Sequence, residues 1–191
     1  MVVLQLVSLP YWMIAFAAAV ASVGPPDNPA ALSARAPSSH VRPTNSRLAG
    51  ALHEGMTHSQ TMRGLVSTLD ASSVIVYLHD AGCVSQAESC LMIRRTSGST
   101  RFVHVNFRMT DGRSNRYLDH YDRLVAQIAH ELQHAVELAR DPTIVDGVTL
   151  AAAYGRKSGA RRSRDAFTFE TEVAVRTGRH VLLELSRQRR R

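Results

Sequence analysis

The chain has 191 residues, and its 45% apolar content is enough for one folded domain of modest size with a leader or a tail. Its formal net charge is +7, and 22 of its 23 basic residues are arginine. Basic residues cluster at 156–164 and 187–191. Such clusters are typical of a solvated loop and tail, so we expect no nucleic-acid partner. The two cysteines have no second Cys or His pair at zinc-finger spacing, which excludes a zinc finger.

The N-terminal segment looks like an export signal. Residues 1–21 carry no charged side chain and end in Ala-Val-Ala, a small-x-small pattern. We predict a signal peptide cleaved near Ala21. The alternative is an uncleaved N-terminal anchor, because about 20 apolar residues can span a bilayer. Either interpretation exports the domain, to the periplasm or out of the cell, and only the uncleaved form would contact the membrane.

Composition divides the rest of the chain into three parts. Residues 22–46 are rich in proline, serine and alanine and are predicted to be a disordered linker. The folded domain is expected at 47–187, followed by a basic tail at 188–191.

In an exported chain, two cysteines this close in sequence favour a disulfide, so we expect Cys83 and Cys90 to be bonded. No feature of the sequence indicates a dimer, and we expect a monomer.

The first predicted elements are one helix and three strands. Residues 58–69 predict a short helix whose apolar residues share one face: Met62, Leu65, Val66 and Leu69. Residues 72–78 and 90–94 are strand candidates, and a TSGST turn leads to a strand at 101–109. Along that last strand Val103, Val105 and Phe107 alternate with polar residues, so they should face the core.

Three helices follow these strands. Residues 117–140 form the strongest amphipathic pattern, which Asp141 and Pro142 should end. Residues 146–154 and 167–187 predict two further helices, separated by a polar, arginine-rich loop. This order of a helix, a few strands and then helices indicates a small α+β domain.

The strongest helix carries the sequence AHELQHAVE at 129–137. An α-helix turns about 100° per residue, so His130 and His134 project from the same side and can meet one ion. Glu131 points beside this pair, where it can reach a metal-bound water. HExxH therefore predicts two zinc ligands and a general base. The alternative is a surface helix with two solvated histidines. The similar stretch from His53 to His58 has a spacing of five, so its histidines diverge and we expect no function there.

A catalytic zinc usually has three protein ligands and a water. Glu137 and Arg140 occupy the positions where a metzincin has Gly and His, which excludes that class. The remaining acidic candidates for the third ligand are Glu137, Asp141, Asp146, Glu170 and Glu172.

Three of these acids have better interpretations. Glu137 shares the histidine face and suits a second-shell acceptor. Asp141 precedes a proline and suits a turn. On a helix, Glu172 would align with charged residues on the surface. Glu170 would align with small and apolar ones (Ala174, Gly178, Val181 and Leu185). A carboxylate on an inward face needs a partner, so we favour Glu170 as the ligand. Its alternative role is to bind backbone N–H groups near the helix start.

With these residues in place, HELQHAVE followed by FETE resembles the gluzincin type of zinc metallopeptidase. More narrowly, it is similar to small exported bacterial proteins of unknown function with a HELQHA helix and a later F-E-T helix. The resemblance covers residues 59–185. It implies a zincin-like domain with a short antiparallel sheet and an HExxH helix packed on a C-terminal helix. It also implies His130, His134 and Glu170 as Zn²⁺ ligands and Glu131 as the catalytic base.

The function expected on this basis is hydrolysis of a peptide or protein substrate by a zinc-activated water. Tyr154 or His104 could donate a hydrogen bond to the oxyanion, and the strand at 101–109 could pair with an extended peptide. The alternative is a structural zinc site, closed by a fourth ligand such as His104 or Asp146. A third hypothesis, an anion-binding surface, rests only on the arginine clusters.

Overall fold

The alternating and β-branched segments of the chain form one four-stranded sheet in the structure, a computed structural model. It describes residues 39–83, 87–108, 120–156, 161–162 and 169–190. The predicted signal segment at 1–21 and the first part of the linker lie outside these residues. None of the described helices is both long and apolar enough to span a membrane.

The sheet is mixed rather than antiparallel. Its strands are β1 (Val41–Pro43), β2 (Val74–Asp80), β3 (Ser89–Ser97) and β4 (Thr100–Phe107), in the order β1-β2-β4-β3. The β1–β2 and β2–β4 pairs are parallel, and only β3 and β4 pair antiparallel. The predicted antiparallel sheet is therefore wrong except for the β3–β4 hairpin, which turns at Gly98 with φ +59°. Helices between β1 and β2 return the chain to the same end of the sheet, which makes that pair parallel.

The folded domain begins earlier than the sequence indicated. Val41–Pro43, assigned above to the linker, form the edge strand β1. Asn45 then caps helix α1 (Ser46–His58), because its side chain accepts a hydrogen bond from Leu48 N. Ser59 ends α1 and caps α2 (Gln60–Asp70) in the same way, with Met62 N as donor. The predicted helix at 58–69 is confirmed as α2, with the expected four apolar residues buried.

The C-terminal half supplies three helices and a two-residue ladder. The helices are α3 (His120–Ala139), α4 (Gly147–Arg156) and α5 (Glu172–Gln188); the ladder joins β5 (Arg161–Arg162) to β6 (Phe169–Glu170). The prediction of a final helix from residue 167 is wrong at its start. Glu170 lies on β6, and Thr171 caps α5 by accepting a hydrogen bond from Ala174 N. Because the Thr171 side chain binds the backbone N–H of Ala174 as an N-cap, the helix begins only after Thr171.

One face of the sheet carries the core. The alternating residues of β2 and β4 are fully buried there against residues of the helices: Val74, Val76, Leu78, Val103, Val105 and Phe107. The predicted inward face of the strand at 101–109 is thus confirmed. The expected α+β class and the packing of the HExxH helix on the C-terminal helix are also confirmed.

A buried arginine fixes the end of α3 on this sheet. Arg101 is in phase with Val103 and is only 3% exposed. Its guanidinium donates hydrogen bonds to the carbonyl oxygens of Leu138, Asp141 and Ile144 at 2.7, 2.7 and 3.2 Å. Burial lowers the pKa of Arg101, against the raising effect of Asp141. The cation stabilises the carbonyl end of α3, where the helix dipole is negative.

Helix α5 approaches α3 closely at Gly178. A Cβ built at this position would lie 3.1 Å from the carbonyl oxygen of Ala126 and 3.3 Å from Cβ of His130. Any larger residue would therefore push α5 away from the helix that carries the HExxH motif.

We expect alanine substitutions at two helical glycines to have opposite effects. Gly64 in α2 has open space around it, so Gly64→Ala should stabilise the protein by up to about 1 kcal/mol through helix propensity. Gly178→Ala gains the same propensity but overpacks the α3–α5 contact, which typically costs about 1–3 kcal/mol. Thermal unfolding should show a higher Tm for Gly64→Ala and a lower one for Gly178→Ala. Equal stabilisation by both changes would show that the close approach is not real.

Candidate metal centre

Three predicted ligands meet at one point. His130 and His134 lie one turn apart on α3, and β6 carries Glu170 to the same place just before α5 begins. One ligand atom from each lies within 4.8 Å of the others, and His130 Nε2 is 3.1 Å from Glu170 Oε2. Within the described ranges this is the one group of three or more such side chains that could hold a metal ion.

Two ligand atoms of this group are buried without a partner. His134 Nε2 and Glu170 Oε2 make no hydrogen bond with any described residue. Glu170 Oε2 lies 3.1 Å from His130 Nε2, which pairs with it when the imidazole is protonated. An unpaired buried polar atom costs roughly 1–3 kcal/mol, so two such atoms facing one point call for a common partner. A divalent cation satisfies both.

Tyr154 and Glu137 fix the tautomer of His134. The Tyr154 hydroxyl donates to Glu137 Oε2 at 3.1 Å and lies 3.2 Å from His134 Nδ1. Because the hydroxyl proton is given to Glu137, the tyrosine oxygen accepts from His134 Nδ1–H. Nε2 of His134 then carries a lone pair for the position between the three candidate ligands. Glu137 thus reaches His134 through Tyr154, the arrangement expected of an acceptor behind a candidate ligand. Burial raises the pKa of Tyr154 well above its ordinary value.

Glu137 also positions the segment that carries Glu170. Its Oε1 accepts a hydrogen bond of 2.8 Å from the hydroxyl of Thr171. Thr171 is 7% exposed, follows Glu170 directly and caps α5. One carboxylate of α3 therefore holds both sides of the site, His134 through Tyr154 and Glu170 through Thr171.

Glu131 is held from the other side by strand β3. Its Oε1 accepts a 2.5 Å hydrogen bond from the Ser89 hydroxyl, which itself accepts from Gln127 Nε2 at 3.1 Å. Glu131 is 5% exposed, and its second oxygen makes no hydrogen bond with the described residues. The carboxylate is fixed in orientation with one oxygen left for another proton donor.

A cleft of about 500 Å³ opens beside this group. Both α3 and α5 contribute to its walls, and the start of β3 forms its rim through Glu88 and Ser89. His130 and Glu170 line the cleft, and Glu131 is not among its lining residues. A molecule in the cleft can thus reach two of the three candidate ligands.

The other acidic candidates lie elsewhere, as most of the sequence reasoning expected. Asp141 accepts from Thr143 N at 3.0 Å in a turn, which confirms its predicted role. Asp146 caps α4 through Thr149 N at 2.8 Å. Glu172 is exposed and pairs with Arg176 at 3.7 Å, as predicted for a surface residue.

Neither proposed oxyanion donor is suitably placed. The Tyr154 hydroxyl lies on the Nδ1 side of His134, away from Nε2, the candidate ligand atom. His104 lies on the opposite face of the sheet, where its Nδ1 contacts His79 Nε2.

The expected Cys83–Cys90 disulfide is confirmed, with Cα atoms 5.9 Å apart.

Sequence reasoning missed the residues that position the site. Ser89 is adjacent to Cys90 in sequence but gives no signal of its contact with Glu131. Thr171 could have been found, because a threonine three residues before Ala174 at the start of an amphipathic pattern is a typical N-cap.

Comparisons with family models, with curated proteins and with solved structures find no match for this chain.

Removing the Tyr154 hydroxyl should weaken metal binding. Tyr154→Phe leaves Nδ1 of His134 without its oxygen partner, and loss of such a partner typically lowers metal affinity 10–100-fold. Competition with a chromophoric chelator measures the change. Tyr77→Phe removes a hydroxyl from the sheet instead and should leave the affinity unchanged. Equal affinities for wild type and Tyr154→Phe would contradict the proposed tautomer.

The metal-free and metal-loaded proteins should differ in their pH dependence. Burial lowers the pKa of His130, but the Glu170 carboxylate, followed by the charges of Glu131 and Glu137, raises it above 6.5 overall. A raised pKa gives stability that is present below 6.5 and lost as the pH rises through the folded value. Metal binding needs the neutral imidazole, so metal-dependent stability grows over the same interval.

Tm measured from pH 6 to 8 should therefore fall with pH in the presence of chelator and rise with pH in the presence of zinc. The His130→Gln variant serves as the control, and its chelator and zinc curves should coincide. A wild-type protein whose two curves run parallel would contradict this assignment.

Proposed function

We propose that this chain is a zinc-dependent metallopeptidase of the gluzincin type. The observation that supports the proposal is a site with three protein ligands beside an open cleft, with an oriented glutamate next to the first ligand. Two imidazoles and one carboxylate are a donor set found in catalytic zinc sites, which keep the fourth position for water or substrate. The donor set favours Zn²⁺ over Mg²⁺ or Ca²⁺, which prefer oxygen ligands throughout.

The residues of the chain fit such a centre. His130, His134 and Glu170 would hold the ion, which supplies a Lewis acid and lowers the pKa of water. Burial raises the pKa of Glu170, but its contact with His130 and the charges of His130 and His134, when these are protonated, lower it overall. The carboxylate is therefore ionised at neutral pH, and a cation would take the place of the histidine protons.

Glu131 acts as the general base in this proposal. The Ser89 hydrogen bond holds one carboxylate oxygen, so the other can accept a proton from water and later pass it to the leaving amine. Glu131 cannot itself take a ligand position easily, because it is one residue along from His130 and points to β3. Ser89 and Gln127 keep it there.

A peptide substrate is expected along β3 rather than β4. The earlier suggestion of pairing with the strand at 101–109 is wrong, because β4 lies between β2 and β3 with both edges paired. Strand β3 has one unpaired edge within the described part of the sheet, and it starts at Ser89 on the rim of the cleft. An extended peptide added to this edge would pass beside the metal-binding group.

Two observations favour catalysis over a structural metal. The suggested fourth ligands, His104 and Asp146, are engaged elsewhere, so neither closes the coordination sphere. His130 and Glu170 face the cleft instead of being enclosed. We also propose that the domain works outside the cytoplasm, since its disulfide would persist in an oxidising compartment.

Matched glutamate variants test the function. Glu131→Gln should retain bound zinc but cleave fluorogenic peptides at least 100-fold more slowly, the usual scale for loss of a general base. Glu170→Ala should lose both zinc and cleavage. Glu172→Ala, on the surface two residues away, should retain both.

Zinc bound by wild type without any cleavage above the Glu131→Gln level would favour the structural alternative. Zinc retained by Glu170→Ala at wild-type affinity would contradict the ligand assignment itself.

A further inference from the structure

The second face of the sheet carries a group of aromatic and basic side chains that the metal centre does not use. The core cluster, with residues from every described helix, lies on the other face. Parallel strands are normally covered on both faces. Here the outward residues of β2 and β4 are only half-buried: Ile75, Tyr77, His79, Phe102, His104 and Asn106. Ring contacts link Tyr77, His79 and His104 to one another.

Two of these rings form a flat surface. His79 Nε2 and His104 Nδ1 are 2.8 Å apart, and the ring planes differ by 2° with centroids 4.8 Å apart. Stacked rings would need planes about 3.5 Å apart, more than this nitrogen–nitrogen distance. The two imidazoles therefore lie edge to edge in one plane and share a hydrogen bond. The Tyr77 ring packs against His104, with centroids 5.2 Å apart and planes 25° apart, and it does not line the cleft described next.

Both imidazoles line a cleft of about 320 Å³. Arg94 and Asn106 also line it, and Asp80 is the one carboxylate among its lining residues. Burial lowers the pKa of His104, and the charges of His79 and Arg94 lower it further.

Guanidinium groups lie on both sides of the flat surface. Arg42 stacks over Tyr77 with its Cζ 5.6 Å from the ring centroid, and it donates to the tyrosine hydroxyl at 3.0 Å. Arg95 lies over Phe102 at 5.4 Å. A ligand on this face would meet planar rings at the centre and positive charge around them.

We infer that this cleft binds a nucleotide, with the base stacked on the His79–His104 pair and the phosphate paired with Arg94. Planar aromatic platforms on a sheet, flanked by cations, bind bases by stacking and phosphates by charge. A metal does not explain the pair, because its facing nitrogens bind each other and the described residues offer no third ligand there. The inference revises the expectation of no nucleic-acid partner, and it does not depend on peptidase activity.

The ligand has two possible sources, a free mononucleotide or a single strand of nucleic acid. Stacking is tolerant of base identity, so binding should not depend strongly on sequence. Fluorescence polarisation of the full chain with a labelled eight-residue thymidine oligonucleotide measures strand binding, and competition by thymidine monophosphate measures the mononucleotide. Displacement by the monophosphate supports a single-nucleotide site. Oligonucleotide binding that the monophosphate does not displace supports a strand.

Variants separate this cleft from the arginine-rich loop and tail. His104→Ala should weaken binding at least fivefold, whereas His104→Phe should restore most of it, because phenylalanine stacks without an imidazole nitrogen. Arg94→Gln should weaken binding and reduce its salt dependence. His58→Ala and Arg176→Gln, both on helix surfaces, are the matched controls and should bind like wild type.

Three outcomes would overturn the inference. The first is that neither ligand binds at 50 mM salt. The second is that wild type, His104→Ala and Arg94→Gln bind equally well. The third is that His104→Phe binds as weakly as His104→Ala although its Tm matches that of wild type. The second outcome would place any binding on the basic loop or tail.

Discussion

The contact between α3 and α5 is the constraint on which the candidate site depends. His130 and His134 are fixed relative to each other by the helix that carries both, but Glu170 arrives from a different part of the chain. Its position depends on how closely α5 can approach α3, and Gly178 permits an approach that a side chain would prevent. At the other end of α3, Arg101 donates to the carbonyl oxygens of Leu138 and Asp141, at and just beyond the helix end, and holds the helix on the sheet. The site therefore sits between two elements whose relative placement is set by packing.

Glu137 connects the two sides of the candidate metal site. Its two carboxylate oxygens bind Tyr154 and Thr171, so His134 and the Glu170 segment are held by the same group. The result leaves His134 Nε2 and Glu170 Oε2 buried without hydrogen-bond partners in the described chain. A folded protein gives up stability to keep such atoms unpaired, and a bound cation would return it. Glu131 lies beside the candidate ligands, and its hydrogen bond to Ser89 on β3 holds one of its carboxylate oxygens.

Much of this could be predicted from the sequence, because the relevant periodicities are local. The HExxH geometry follows from helix pitch alone, and the alternation at Val103, Val105 and Phe107 gave the buried face of β4 correctly. Glu170 does join the two histidines in one group, but the reason used to choose it was partly wrong, since it lies on β6 and not on the expected helix. The parallel pairing of β2 with β4 and the contact of Ser89 with Glu131 depend on distant parts of the chain, which periodicity does not encode. Arg101 shows the same limit, because a charged residue in phase with an apolar face finds its partners only in the tertiary structure.

The central claim is that His130, His134 and Glu170 bind one metal ion together. X-ray absorption at the zinc edge of the purified, zinc-loaded protein tests it most directly, because it reports the donor atoms and not only the presence of metal. The account predicts two imidazole nitrogens and at least one oxygen at about 2.0–2.2 Å, with one imidazole lost from the shell in His134→Ala. A shell of water oxygens without imidazole scattering, or an unchanged shell in that variant, would contradict it.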